Sequence, residues 1–162
     1  MRIESLHNLF TQTLSCLSAY DLRSGQTMAA IAVNVANPDF KALLDRGSAQ
    51  SEERTRRLEA CFELLDLETR TDESPATDGL LTECEEIAAC AGDPDAIDAA
   101  LIASVQAVAH YGIAWFGSAR TWAGQLGQPE AADLLQQCVD EIVRLDRELT
   151  ALAESAVNPR AR

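Results

Sequence analysis

Residues 129–157 read PEAADLLQQCVDEIVRLDRELTALAESAV, and this stretch decides the fold. Leu135, Val139, Ile142, Leu145, Leu149 and Leu152 recur at steps of three and four, with Leu134 adjoining the first. That spacing lines apolar side chains along one side of a helix and leaves the intervening acids and arginines on the other. Gly127 stands where a glycine closes the preceding helix, and Gln128-Pro129-Glu130 starts the new one with proline in its first turn.

The same punctuation recurs upstream. Asn37-Pro38-Asp39 and Asp93-Pro94-Asp95 each offer a capping side chain, a proline at the first helical position and an acid in the first turn. From Pro38 onward, Phe40, Leu44, Ser51, Thr55, Leu58, Phe62 and Leu65 keep helical spacing. These marks predict long helices over residues 3–35, 38–67, 94–126 and 129–157, with a short helix over 78–91. The polar stretch Thr69–Thr77, Pro75 included, reads as a loop. Gly25 predicts a break in the first helix, because glycine costs about 1 kcal/mol inside one. Ile31–Val35 is too short and too alanine-rich for a strand. The expectation is one domain over residues 1–157 and a disordered tail over 158–162.

Composition bounds the function. The chain has 162 residues, 47% of them hydrophobic, enough for one domain with a real core. Thirteen basic against 26 acidic residues leave a net charge of −13. This argues against nucleic acid and anionic lipid as partners, since both are bound through Lys and Arg. With two histidines, His7 and His110, no site can rest mainly on imidazole. The five cysteines, Cys16, Cys61, Cys84, Cys90 and Cys138, form no CxxC pair and read as buried apolar residues on helices. No secretory signal and no membrane span are expected, which points to the reducing cytoplasm. Phosphate-binding glycine motifs are absent, and no catalytic residue is assigned. Tyr111, Trp115, Phe116 and Trp122 gather on one helix and read as core and dimer packing. Arg56–Arg57, set among Glu52, Glu53 and Glu59, reads as an ion-paired solvent face.

Several segments, in order, carry a resemblance. They are Glu4-Ser5-Leu6-His7-Asn8-Leu9-Phe10, the run Arg57–Leu65, Asp98-Ala99-Ala100-Leu101-Ile102-Ala103, the pair His110-Tyr111, and Leu149–Glu154 with Val157-Asn158. The chain resembles the YciE/YciF group of ferritin-like bacterial stress-associated proteins. The resemblance implies an all-α, ferritin-like four-helix bundle with a long crossover between the second and third long helices and an extra short helix. It also implies a di-metal carboxylate centre, in which Glu and His project inward from four helices to hold iron or manganese.

Matched residue by residue, the ligands thin out. The family's inward Glu on the first helix falls at Asp21. On the second, the inward positions hold Gly47, Gln50 and Arg54, while Glu52 leans off the apolar face. The family's Glu-His-Tyr-Glu becomes Ala109-His110-Tyr111-Gly112. On the last helix Asp140 and Glu141 are followed by Ile142, and Asp146 is kept. The vacated ligand positions are therefore Gln50, Ala109, Gly112 and Ile142. His110 falls beside the former site, about 100° round the helix from Ala109.

The leading expectation is a non-enzymatic, stress-associated structural or interaction protein without a cofactor. It forms a homodimer or meets an unknown protein partner, and Arg54 replaces the metal as the cation between Asp21 and Glu141. One alternative is residual iron or manganese on Asp21, Glu52, His110, Glu141 and Asp146, serving oxygen or peroxide chemistry. The other is a small ligand in the vacated bundle centre, unless Ile142, Tyr20 or Tyr111 refills that space.

Overall fold

The computed structural model describes residues 3–161, which form five α-helices and a final π-helical turn. Helix α1 spans Leu6–Ile31, α2 Pro38–Leu64, α3 Pro75–Ala88, α4 Pro94–Gln125 and α5 Pro129–Leu152; the π turn covers Ala153–Val157. Caps chosen by the sequence start most of them. Ser5 Oγ accepts from the Asn8 amide at 3.0 Å. Asn37 Oδ1 accepts from Asp39 at 2.9 Å and Phe40 at 3.1 Å, and Asp93 Oδ1 from Ala96 at 2.9 Å. Each bond satisfies an amide that the first turn leaves without an intrahelical partner. Gly127, at φ +71°, supplies the left-handed turn between α4 and α5.

Helices α1, α2, α5 and α4 pack in that cyclic order, which sets α2 and α4 on the diagonal. The long link from α2 to α4 carries α3, which lies across α4 and α1. Phe10, Phe40, Phe62 and Phe116 are fully buried between the helices. Asp98, itself buried on α4, takes the Asn37 amide at 2.7 Å and the Ala36 amide at 3.1 Å, tying the α1–α2 turn to the third long helix.

Several expectations are corrected. Pro75 opens α3 rather than lying in a loop, three residues before the expected start. Helix α1 runs unbroken through Gly25, whose role is close approach: a Cβ there would stand 2.8 Å from Ser51 Oγ. Ser48 donates to the Gly25 carbonyl at 2.9 Å at this crossing. Cys90 lies exposed past the end of α3, whereas Cys61, Cys84 and Cys138 are buried, and all five thiols are free. The chain expected to be disordered from Asn158 stays hydrogen-bonded through Ala161. Asn158 donates to Ala153 at 2.9 Å and Arg160 to Val157 at 3.0 Å; Met1, Arg2 and Arg162 lie outside the described residues. Helix α4 is long and apolar enough, by length and composition, to cross a membrane. Its Leu101, Ile102 and Phe116 are core residues of the bundle.

Candidate functional site at the bundle centre

Asp21 on α1 is fully buried, and Arg54 on α2 reaches it with a side chain only 4% exposed. Arg54 Nε donates to Asp21 Oδ1 at 2.8 Å. The same guanidinium places Nη1 3.7 Å from Glu141 Oε2 on α5, so one planar cation lies between two carboxylates from different helices. Arg57, one turn further along α2, holds the other oxygen of Glu141 at 2.8 Å. The centre is thus a four-member chain, Asp21–Arg54–Glu141–Arg57. The backbone is drawn in as well, since Ser51 Oγ donates to the Asp21 carbonyl.

Burial governs the charges here. Desolvation pushes the Asp21 carboxyl up to about 6, against the opposing pull of Arg54, and Glu141 adds to the rise. Burial likewise raises the Cys138 thiol to about 12, with the Asp21 charge in support, so this cysteine behaves as a packed apolar group. Asp21 Oδ2 and Glu141 Oε2 are buried without a hydrogen-bond partner.

The α4 side of the centre carries no charge. Ala109 and Gly112 are buried there, and Tyr20 from α1 lies against them. A Cβ at residue 112 would fall 2.4 Å from Tyr20 Oη and 2.9 Å from its Cζ. The phenol therefore fills the space that a side chain at 112 would need. Tyr20 Oη donates to the Val108 carbonyl at 2.9 Å. Its ring meets Tyr111 at a centroid distance of 5.8 Å and Phe116 at 6.3 Å. Burial and the Asp21 charge both push the Tyr20 hydroxyl above its ordinary pKa. What space remains, beside Ala109, Ile142 and Arg54, is about 30 Å³, room for a water rather than an organic ligand.

The other sequence candidates lie elsewhere. Glu52 is exposed, on a surface groove with Gln26, Arg56 and Glu59. His110 is 66% exposed and places Nε2 3.4 Å from Asp146 Oδ1 on the α4–α5 flank. Asp146 is held there by Gln106 Nε2 at 2.9 Å. Gln50 is half-buried, Ile142 is core, and Gly47 is packed close to Met28 Sδ and Leu145. Among the described residues, no group of three or more His, Cys, Asp or Glu side chains stands close enough together to hold a metal ion. Asp21, Arg54 and Glu141 are brought together; Glu52, His110 and Asp146 are not brought to them. Arg57 was misread as part of a solvent face. It leaves Arg56 to pair with Glu53 and turns inward to Glu141. The usable signal was its three-residue spacing from Arg54, which puts both guanidinium groups on one side of α2.

Helical order, crossover and centre define an all-α bundle of the ferritin-like class. The chain belongs to the family described as Domain of unknown function (DUF892), whose profile matches residues 5–162. It is 28% identical to protein YciF of Escherichia coli (strain K12) over 162 residues, 99% of this chain and 98% of that one. The crystal structure of that E. coli stress protein covers 96% of this chain and 99% of its own, with a TM-score of 0.92. YcfI of Rhodopseudomonas palustris, described as a candidate structural protein, matches at 26% identity and TM-score 0.88 over 91% of this chain and 94% of its own.

Proposed function

We propose that this chain is a non-enzymatic member of its family, a structural or interaction protein of the cytoplasmic stress response, self-associating as a homodimer and needing no metal. The observation that carries this reading is the Arg54 guanidinium set between Asp21 and Glu141. A di-metal carboxylate centre uses about four carboxylates and one or two imidazoles. Two buried or half-buried carboxylates meet at this centre, Arg54 and Arg57 already neutralise them, and the opposite wall is Ala109, Gly112 and Tyr20. That donor set does not fit a pair of metal ions. The stress context comes from the E. coli relative.

Ferrous-ion oxidation tests the reading. With oxygen or peroxide as oxidant, the purified protein is expected to leave the rate at the buffer background. A multiple-turnover acceleration that disappears in Asp21→Ala would overturn it.

A further inference from the structure

A second cavity, sharing only Tyr20 with the space at the ionic centre, lies where α1, α4 and the start of α3 meet. One side of α1 forms its wall through Leu9, Thr13, Cys16 and Tyr20, residues spaced to share a helical face. Tyr111 and Trp115, one turn apart on α4, form the facing wall, with ring centroids 6.2 Å apart. Tyr111 continues the aromatic surface to Tyr20. The volume is about 150 Å³, and an apolar cavity of roughly that size admits one benzene ring.

The roof is held by named bonds. Ser74 precedes the first residue of α3, yet its hydroxyl makes no cap bond to that helix. It bonds instead to Tyr111 Oη at 3.1 Å. Two residues earlier, the Asp72 amide donates to the Ser15 carbonyl on α1 at 3.1 Å. The segment is thereby tied to both walls, so a ligand finds the cavity already shaped and pays little to order it. Two hydroxyls that bond each other still keep one hydrogen and spare lone pairs. The cavity therefore offers aromatic walls and neutral hydroxyls, the Ser74–Tyr111 pair at the roof and Thr13 on the α1 wall. Asp72, whose charge is felt at Cys16, and the net charge of −13 disfavour an anion. Trp115, 38% exposed, and Ile3 stand at the mouth, where a bound ring would cover them.

We propose that this cavity binds a small neutral aromatic molecule carrying one hydroxyl or ring N–H, of phenol or indole size, with that group on the Ser74–Tyr111 hydroxyl pair. The proposal does not rest on the non-enzymatic reading.

Cys16 lines the cavity and Cys90 is exposed elsewhere, which gives the test an internal control. The full chain is alkylated with iodoacetamide with and without phenol, and labelling at the two cysteines is followed by mass spectrometry. Phenol at about 10 mM is expected to slow labelling of Cys16 several-fold and leave Cys90 unchanged, as for a fragment of millimolar affinity or better. Benzoate is expected to protect far less. Ser74→Ala, a loop change, is expected to weaken phenol about fivefold by losing one hydrogen bond, while toluene binding is kept. Thr13→Met, which fills the cavity, is expected to abolish protection. Unchanged Cys16 labelling in phenol, equal protection by benzoate, protection that survives in folded Thr13→Met, or a Ser74→Ala protein that binds phenol like the wild type would each overturn the proposal. Should Thr13→Met not fold, the Ser74→Ala and benzoate results decide it.

Discussion

The two halves of the bundle centre solve one packing problem with opposite chemistry. On the α2–α5 side, charges are buried and cancelled in a chain of two arginines and two acids. On the α4 side, charge is absent and a tyrosine from α1 fills the space over a glycine. A buried helical centre can thus be closed in two distinct ways. Where an acid remains, a cation must accompany it, because an unpaired buried charge is costly. Where no charged group stands, side-chain volume must fill the space, because interiors are close-packed.

The largest effect should come from breaking the charged half. Arg54→Met leaves Asp21 without its cation and is expected to cost about 3–5 kcal/mol at neutral pH in urea unfolding. The loss should shrink as pH falls, since Asp21 then takes up a proton. Adding Asp21→Leu should recover most of it, because replacing both members of a buried pair by apolar groups is often neutral. No recovery in the double variant would mean that the pair does more than cancel charge.

Titration of Asp21 sharpens the same half. Its folded pKa of about 6 lies above the unfolded value of about 3.9. Between those values the folded state binds the proton more tightly, so this group's stabilisation is fully present below about pH 4 and lost as pH rises through about 6. Asp21→Asn does not titrate. Wild-type stability relative to that variant should therefore fall by roughly 2–3 kcal/mol between about pH 4 and 6, then level off. A difference independent of pH would contradict the burial of Asp21.

The uncharged half should respond to volume rather than to pH. Gly112→Ala forces Tyr20 to move and is expected to cost about 1–3 kcal/mol, as overpacking does. Smallest of all, Tyr20→Phe removes the bond to Val108 and should cost about 1 kcal/mol. In the Tyr20→Phe background the nearest clashing atom is gone, so Gly112→Ala should cost less than it does alone, a coupling that a double-mutant cycle reads directly.

The sequence made helix starts legible wherever proline followed a capping residue, as at Pro38 and Pro94, because both act within one turn. Pro75 followed a serine too, but the polar run around it resembled a loop, and that serine's hydroxyl serves Tyr111 instead. Gly25 was misread because its reason lies on another helix, at Ser51. At the centre, Asp21, Arg54 and Glu141 were placed by matching the inward positions of the family the chain resembles, and Tyr20 was one of three residues able to fill the space over Gly112. The roles of Asp98 and Gln106 were not legible because their partners, the α1–α2 turn and Asp146, are set by tertiary packing that no local pattern encodes.

The central claim is that Arg54 holds the position a metal would need. Metal content after anaerobic loading with ferrous iron and desalting tests it most directly. The wild-type protein is expected to hold no stoichiometric iron. One or two irons per chain, lost on Asp21→Ala in a protein that remains folded, would contradict it.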